Sequence, residues 1–144
     1  MNIEDIRLRD DSDLIVVGPD DTVMQAANAL AKNNIGALPV CDAAGKLVGI
    51  LSERDIVREV SLQGPGLFEQ KLSAVMTNEV FTCKPGDDTN DVMEVMQANR
   101  FRHIPVVVDG RVTRMISTRD LMGAVLEEVR EQRGTLAVAY ELVR

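Results

Sequence analysis

Tryptophan is absent, histidine occurs once, and aromatic residues make up only 3% of the 144-residue chain. A core with so few rings must be filled by Val, Ile, Leu, Ala and the seven Met, which suit irregular gaps. One histidine, with no Ser/His/Asp or Cys/His set for a fold to assemble, leaves catalysis without candidate residues. No dense carboxylate or His/Cys cluster points to a metal. Cysteine is scarce as well. Cys41 and Cys83 form no CxxC pair, and each falls in or beside a predicted strand, which predicts two buried, reduced thiols in a cytoplasmic protein. Positive charge is in deficit, with a net charge of −7 and a pI near 4.7. Such a surface repels nucleic-acid backbone and anionic lipid, so neither is expected as a partner. No stretch approaches the ~20 apolar residues of a membrane span. Residues 1–13 are charged and lack the apolar core of a signal peptide.

What is present is a duplication. Residues 19–55 and 85–120 carry the same ordered features: an Asp pair, an apolar-periodic helix, a strand ending in Pro-Val, a Gly-containing hairpin and a second apolar strand. Each copy closes on Ser-x-x-Asp, as Ser52-Glu53-Arg54-Asp55 and Ser117-Thr118-Arg119-Asp120. The offset is 66 from Pro19/Pro85 to Pro39/Pro105 and 65 at the Ser-x-x-Asp motifs, so the second hairpin is one residue shorter. Tandem units of this kind cannot bury their apolar faces alone. Packed together, they predict a pseudo-twofold body with two equivalent clefts. The apolar fraction of 45% suffices for one compact domain or two small, intimately packed ones.

Leu14 to Val17 reads as a strand stopped by Gly18-Pro19. Thr22 to Asn33 has the one-sided apolar spacing of a helix, with Thr22 as N-cap. Ala37–Cys41 and Lys46–Leu51 read as strands around a turn, and Glu53–Leu62 as a helix. Gly64-Pro65-Gly66 breaks the chain, and a short helical turn follows over 71–76. In the second copy Val80–Cys83 reads as a strand, Thr89–Asn99 as a helix, Ile104–Val108 and Arg111–Ile116 as a hairpin around Asp109-Gly110, and Thr118–Arg133 as a long helix that Gly134 ends. Residues 2–9 predict a short helix or an arm. The tail over 135–144 is open between helix and strand. Each unit is thus β-α-β-β-α, in an α/β (α+β) fold whose hairpins are expected to join in one mixed sheet. The expected divisions are an arm at 1–13, units at 14–62 and 77–133, a linker at 63–76 and a tail at 134–144.

A lone Ser-x-x-Asp reads as a capping box, with Asp where Glu or Gln is usual. Here it recurs at matched positions, follows a strand immediately, and carries Arg54 or Arg119 in its third place. A helix start at a strand's C-terminal end is where α/β folds put ligands, and its free N–H groups favour an anion. A carboxylate held there suits the paired hydroxyls of a ribose. A second signal is the basic run Arg100, Arg102, His103, Arg111, Arg114 and Arg119. Basic residues suit helix C-termini, but planar Arg donors also fit phosphate. The counterparts of Arg102 and His103 are the uncharged Gly36 and Ala37, so the two clefts must differ chemically. Which Ser-x-x-Asp shares a cleft with Arg102 stays open at this point.

The segments Ile35–Val40, Leu47–Asp55, Ala74–Thr77, Phe101–Val106 and Ile116–Asp120, taken in order, resemble the CBS-domain family, and specifically a stand-alone CBS pair, or Bateman module. The likeness covers about residues 14–130, and the duplicated set is far more specific than any one segment. The resemblance implies tandem CBS motifs packed with pseudo-twofold symmetry, no fused enzyme domain, no required cofactor, and adenosine ligands: AMP, ADP, ATP, NAD(H) or S-adenosylmethionine. It implies that Asp55 and Asp120 hold ribose hydroxyls and that Ser52 and Ser117 reach phosphate or ribose. Adenine would lie near Val17, Ala37 and Pro39 in one cleft and near Cys83, Phe101 and Pro105 in the other. Arg102 and His103 would meet phosphate, with Arg54 and Arg119 beside the two motifs. It also implies face-to-face homodimers forming a disc. The chain departs from the pattern where Gly49 is replaced by Arg114, a side chain that would narrow the second cleft or add a phosphate contact. The expected function is a non-enzymatic nucleotide sensor acting on an unknown partner protein. The alternative is a ligand-free scaffold whose Ser-x-x-Asp motifs are only caps.

Overall fold

The computed structural model describes residues 1–7 and 14–143; the parts of the expected arm and tail at 8–13 and 144 lie outside the described residues. Helix α1 (Val23–Asn33) starts on a reciprocal cap. Gln25 N–H donates to Thr22 Oγ1 at 3.2 Å, and Thr22 N–H donates to Gln25 Oε1 at 2.8 Å. It buries Val23, Ala26 and Leu30. Strands β1 (Ala37–Cys41) and β2 (Leu47–Ser52) form an antiparallel hairpin, and α2 (Glu53–Gln63) leaves β2 without a loop. The second unit repeats this order with α3 (Thr89–Asn99), β3 (His103–Val108), β4 (Arg111–Ser117) and α4 (Thr118–Val143). Both first helices end on a left-handed residue that is not glycine, Asn34 (φ 50°) and Arg100 (φ 58°). The shorter second hairpin turns on Asp109-Gly110 with both φ angles positive, the chemistry a two-residue turn requires.

Three expectations need correction. The strands expected at 14–17 and 80–83 shrink to single parallel bridges, Val17 to Val40 and Cys83 to Val106. Val17 N–H donates to Pro39 O at 3.2 Å and Cys83 N–H to Pro105 O at 3.0 Å. The next ladder bond upstream would need an N–H from Pro39 or Pro105, and proline has none. Downstream, Pro19 and Pro85 turn the chain away. Next, the hairpins do not join in one mixed sheet but form two separate two-stranded sheets, with an isolated bridge between Lys46 and Arg111 at the hairpin tips. The outer edge of β2 is already taken, since Ile50 and Thr77 exchange backbone bonds of 3.0 Å. The third correction is at Gly134, which does not end α4. A mid-helix glycine costs only about 1 kcal/mol, and the Leu- and Ala-rich stretch after it continues as helix to Val143. At the amino end the described residues of the 2–9 segment form a short helix, a 3-10 turn at Ile3–Asp5, one of the two states expected there.

That turn has a counterpart at Leu72–Ala74 in the linker. Leu72 and Ser73 N–H groups donate to Asp21 O and Pro19 O, while Ile3 and Glu4 N–H groups donate to Asp87 O and Pro85 O. Leu72 and Val75 enter the core of the first unit with Val23, Leu30, Leu38, Val40, Leu51 and Leu67. Ile3 and Ile6 enter the core of the second with Val92, Met96, Ile104, Ile116 and Leu121. The amino terminus therefore completes the unit farther along the chain. Arg114 secures it, donating to Ile3 O at 3.2 Å and Ile6 O at 2.5 Å. Among the described residues no helix is long and apolar enough to cross a membrane.

Candidate nucleotide cleft

Ser52 is the last residue of β2 and the N-cap of α2. Asp55 N–H donates to Ser52 Oγ at 3.2 Å, and Ser52 N–H donates to Asp55 Oδ2 at 2.9 Å. Ser117 and Asp120 repeat the box at 3.2 and 2.9 Å. The capping reading therefore holds for both motifs. The two carboxylates differ beyond the cap. Arg58 lies one turn after Asp55 and donates to its Oδ1 at 2.9 Å, whereas Gly123 stands at the position matching Arg58.

A cleft of about 690 Å3 opens at the start of α2. Its walls come from both units: Gly36, Ala37, Ile50 and residues at the start of α2 from the first, and Thr77, Phe81 and Asn99 to His103 from the second. Arg102 and His103 thus share the cleft of Ser52, Arg54 and Asp55, the pairing that sequence spacing left open. Phe101, expected across the molecule from Ala37, lines the same cleft as Ala37. It stacks on Phe81 with ring centroids 5.2 Å apart and planes 28° apart. Two of the three phenylalanines in the chain are therefore at this opening. Arg54 Nη1 donates to Arg100 O at 3.4 Å, joining the start of α2 to the left-handed end of α3.

His103 sits at the back. A Cβ on Gly36 would lie 2.8 Å from its Cε1 and 3.3 Å from Glu53 Oε1, so only glycine lets the ring approach. Burial pushes the His103 pKa below its ordinary value, while Glu53 and Asp120 pull it up and Arg102 pushes it further down. The imidazole is thus placed electrostatically between the two Ser-x-x-Asp helices. The lining carries Arg54, Arg58, Arg100 and Arg102 against Glu53, Asp55 and Glu79. Four guanidinium groups against three carboxylates make a slightly positive site in a chain of net charge −7.

Val17, Pro39, Cys83, Pro105, Ser117, Arg119 and Asp120 lie outside this lining. Val17, Pro39, Cys83 and Pro105 are engaged in the two parallel bridges. Cys83 is buried, and burial foremost, with Asp87, pushes its thiol up to about 11 against a smaller opposing pull from Arg114. Cys41 is buried and its pKa raised for the same first reason. The basic run does not act as one cluster. Arg111 lies against Gly45 at the hairpin tips, and Arg114 grips the amino terminus instead of narrowing a cleft or meeting phosphate. Arg58 and Phe81 escaped the sequence reading. Arg58 was visible as an i,i+3 partner of Asp55 on a helix. Phe81 was hidden because its segment read as a buried strand.

A family model described as CBS domain matches residues 3–62 and 72–127. Each matched stretch begins at one of the two equivalent 3-10 turns. CBS domain-containing protein CBSX3, mitochondrial, from Arabidopsis thaliana is 37% identical over 117 residues, covering 78% of this chain and 57% of that protein. This chain therefore spans little more than half of that relative. A CBS-domain containing protein from Agrobacterium tumefaciens superposes with a TM-score of 0.80 at 39% identity, over 86% of this chain and 98% of that one. The CBS domain pair of protein MJ0100, solved with 5'-methylthioadenosine and S-adenosyl-L-methionine, superposes with a TM-score of 0.77 at 27% identity, over 87% and 99% of the two chains.

Proposed function

The chain belongs to the CBS-domain family, and from that premise we propose that it is an adenosine-nucleotide-binding regulatory module, without catalytic activity of its own, that acts on a partner protein. The observation that carries this reading is the meeting of Arg102 and His103 with Ser52, Arg54 and Asp55 in one cleft. The cleft offers each part of a nucleotide a chemically matched wall. Its volume falls within the ~300–1,000 Å3 of small-molecule sites. A purine has the stacked rings of Phe81 and Phe101 and the edges of Ala37 and Ile50. Ribose hydroxyls have the carboxylate of Asp55, once the half-exposed Arg58 swings aside. A phosphate has Arg54, Arg100 and Arg102 together with the start of α2. The solved relative that holds two adenosine compounds supports the same ligand class.

The second reading is the ligand-free scaffold. Both Ser-x-x-Asp motifs being closed capping boxes favours it. A thermal-shift panel of AMP, ADP, ATP, NAD and S-adenosylmethionine separates the two, because a ligand that binds only the folded state raises Tm. At a hundred times Kd the stabilisation is about 2.7 kcal/mol, a shift of several degrees. A shift lost in Asp55→Ala supports the nucleotide site. A flat response to the whole panel leaves the scaffold.

A further inference from the structure

His103 is the only histidine in the chain, and no other side chain lining the cleft has an ordinary pKa near neutrality. It opens β3 directly opposite Ser117, whose Oγ accepts from Asp120 N–H at 3.2 Å at the start of α4. Opposed residues of an antiparallel pair place their side chains on one face of the sheet, so the ring lies on the side of the Ser117–Asp120 cap. The first unit meets it from another direction. A Cβ on Gly36 would lie 2.9 Å from His103 Nε2 and 3.3 Å from Oε1 of Glu53, the first residue of α2. The starts of both Ser-x-x-Asp helices thus converge on one imidazole. No hydrogen bond ties that ring to another described residue, and neither of its nitrogens is buried without a partner. Both nitrogens are therefore open to the cleft, where solvent can deliver a proton.

The charges around the ring come from four directions. Helix α2 supplies Glu53, Arg54, Asp55 and Arg58, and α4 supplies Asp120. Arg100 and Arg102 stand on the segment before β3, and Glu79 on the segment that enters the second unit. The two helix starts add the positive ends of their dipoles. Burial first of all, with Arg102, holds the imidazole neutral against the pull of Glu53 and Asp120. A phosphate seated among Arg54, Arg100 and Arg102 brings a charge of about −2 into this balance. An opposite charge within about 4–6 Å moves a pKa by about 1–3 toward the charged form. We propose that seating a phosphate in this cleft draws a proton from solvent onto His103, so that the chain binds a phosphorylated nucleoside more tightly as pH falls and reads pH and nucleotide together. This inference rests on the nucleotide reading of the cleft and adds a second input to it. Adenosine has the same base and ribose but no phosphate, and it binds without taking up the proton.

With one histidine in the chain, the proton on its Cε1 gives a single resonance that reports His103 alone. The test follows that resonance by NMR between about pH 5 and pH 8 for the wild type alone, with saturating adenosine and with saturating AMP. The expected midpoint lies below 6.5 in the free chain and with adenosine, and higher by about one or more with AMP. Calorimetry should then find AMP bound about threefold more tightly at pH 6.5 than at pH 8, a range in which most of the phosphate stays dianionic because its second pKa is about 6. His103→Gln should lose that rise; if this variant does not fold, the wild-type resonance decides alone. A midpoint that AMP leaves at its free value, an equal rise with adenosine, or a pH dependence that His103→Gln retains overturns the proposal and leaves the nucleotide site standing. If AMP binds at neither pH, the nucleotide reading falls and this inference falls with it.

Discussion

The two helix starts, Ser52 to Asp55 and Ser117 to Asp120, share one backbone and one pair of capping distances, 3.2 and 2.9 Å. Their surroundings share little. Asp55 is buried, has Arg58 on its second oxygen and faces a cleft walled by the other unit. Asp120 is half-buried, has glycine where Arg58 would be, and contributes to the cleft at a distance through its pull on His103. Duplication repeated the frame, and a few side chains outside the motif divided the work. A repeated motif is therefore evidence for repeated geometry before it is evidence for repeated chemistry.

The difference can be broken or sharpened by substitution. The largest effect is expected at Arg102. Arg102→Ala should weaken AMP by about 1.5–3 kcal/mol, the worth of a charge-assisted hydrogen bond, or roughly 10- to 150-fold, and leave adenosine nearly unchanged. Calorimetric titration of both ligands reads the split, and an equal loss for the two would assign Arg102 to the fold or the base site. Gly36→Ala should cost about 1–3 kcal/mol of stability, because the new methyl overlaps the His103 ring. His103→Ala in the same chain should recover most of that, a non-additivity visible in urea melts. Asp55→Ala and Asp120→Ala should each lose a cap worth about 1 kcal/mol. Asp55→Ala alone should also reduce nucleotide affinity in the cleft. Equal affinities in the two variants would remove the asymmetry drawn here.

Smaller effects follow from Arg58 and from pH. Arg58→Ala should cost no more than about 1 kcal/mol, since the guanidinium is half-exposed, and should raise affinity by freeing the outer oxygen of Asp55. A drop in affinity would instead make Arg58 a ligand contact. His103 is held neutral by burial, with its folded pKa below the unfolded value of 6.5. The unfolded chain therefore takes up the proton first as pH falls. Stability is full above about pH 6.5 and declines below it toward the folded pKa. His103→Gln should flatten that slope between pH 6.5 and the onset of carboxylate titration. An unchanged slope would trace the effect to other groups.

Much of this architecture was legible in residue order. Periodicity gave α1 and α3 to the residue or nearly so, because one-sided apolar spacing marks their length and Thr22 marks the start of α1. The hairpins were legible from apolar runs around Gly turns. What stayed hidden was nonlocal. Ile3 and Ile6 resemble Leu72 and Val75 only as short apolar pairs, too brief to announce a further duplicated element of the two units. The basic run looked like one cluster because sequence proximity cannot reveal that Arg114 reaches back more than a hundred residues to Ile3 and Ile6. Gly134 was read as a stop because glycine is a poor helix former, but its cost is small and the Leu- and Ala-rich residues after it carry the helix on to Val143.

The amino-terminal turn that seats in the second unit also sets an order of assembly. A ribosome delivers Ile3 and Ile6 first, but their seat among Val92, Ile104 and Leu121 arrives last. The first unit can close once Val75 has emerged; the second must wait for its carboxyl half and then capture residues that emerged well before it. If the chain were cut between Thr77 and Val80, the amino-terminal fragment would carry the missing piece of its neighbour's core. The two fragments should then find each other in solution and restore one body, as halves of a clasp do.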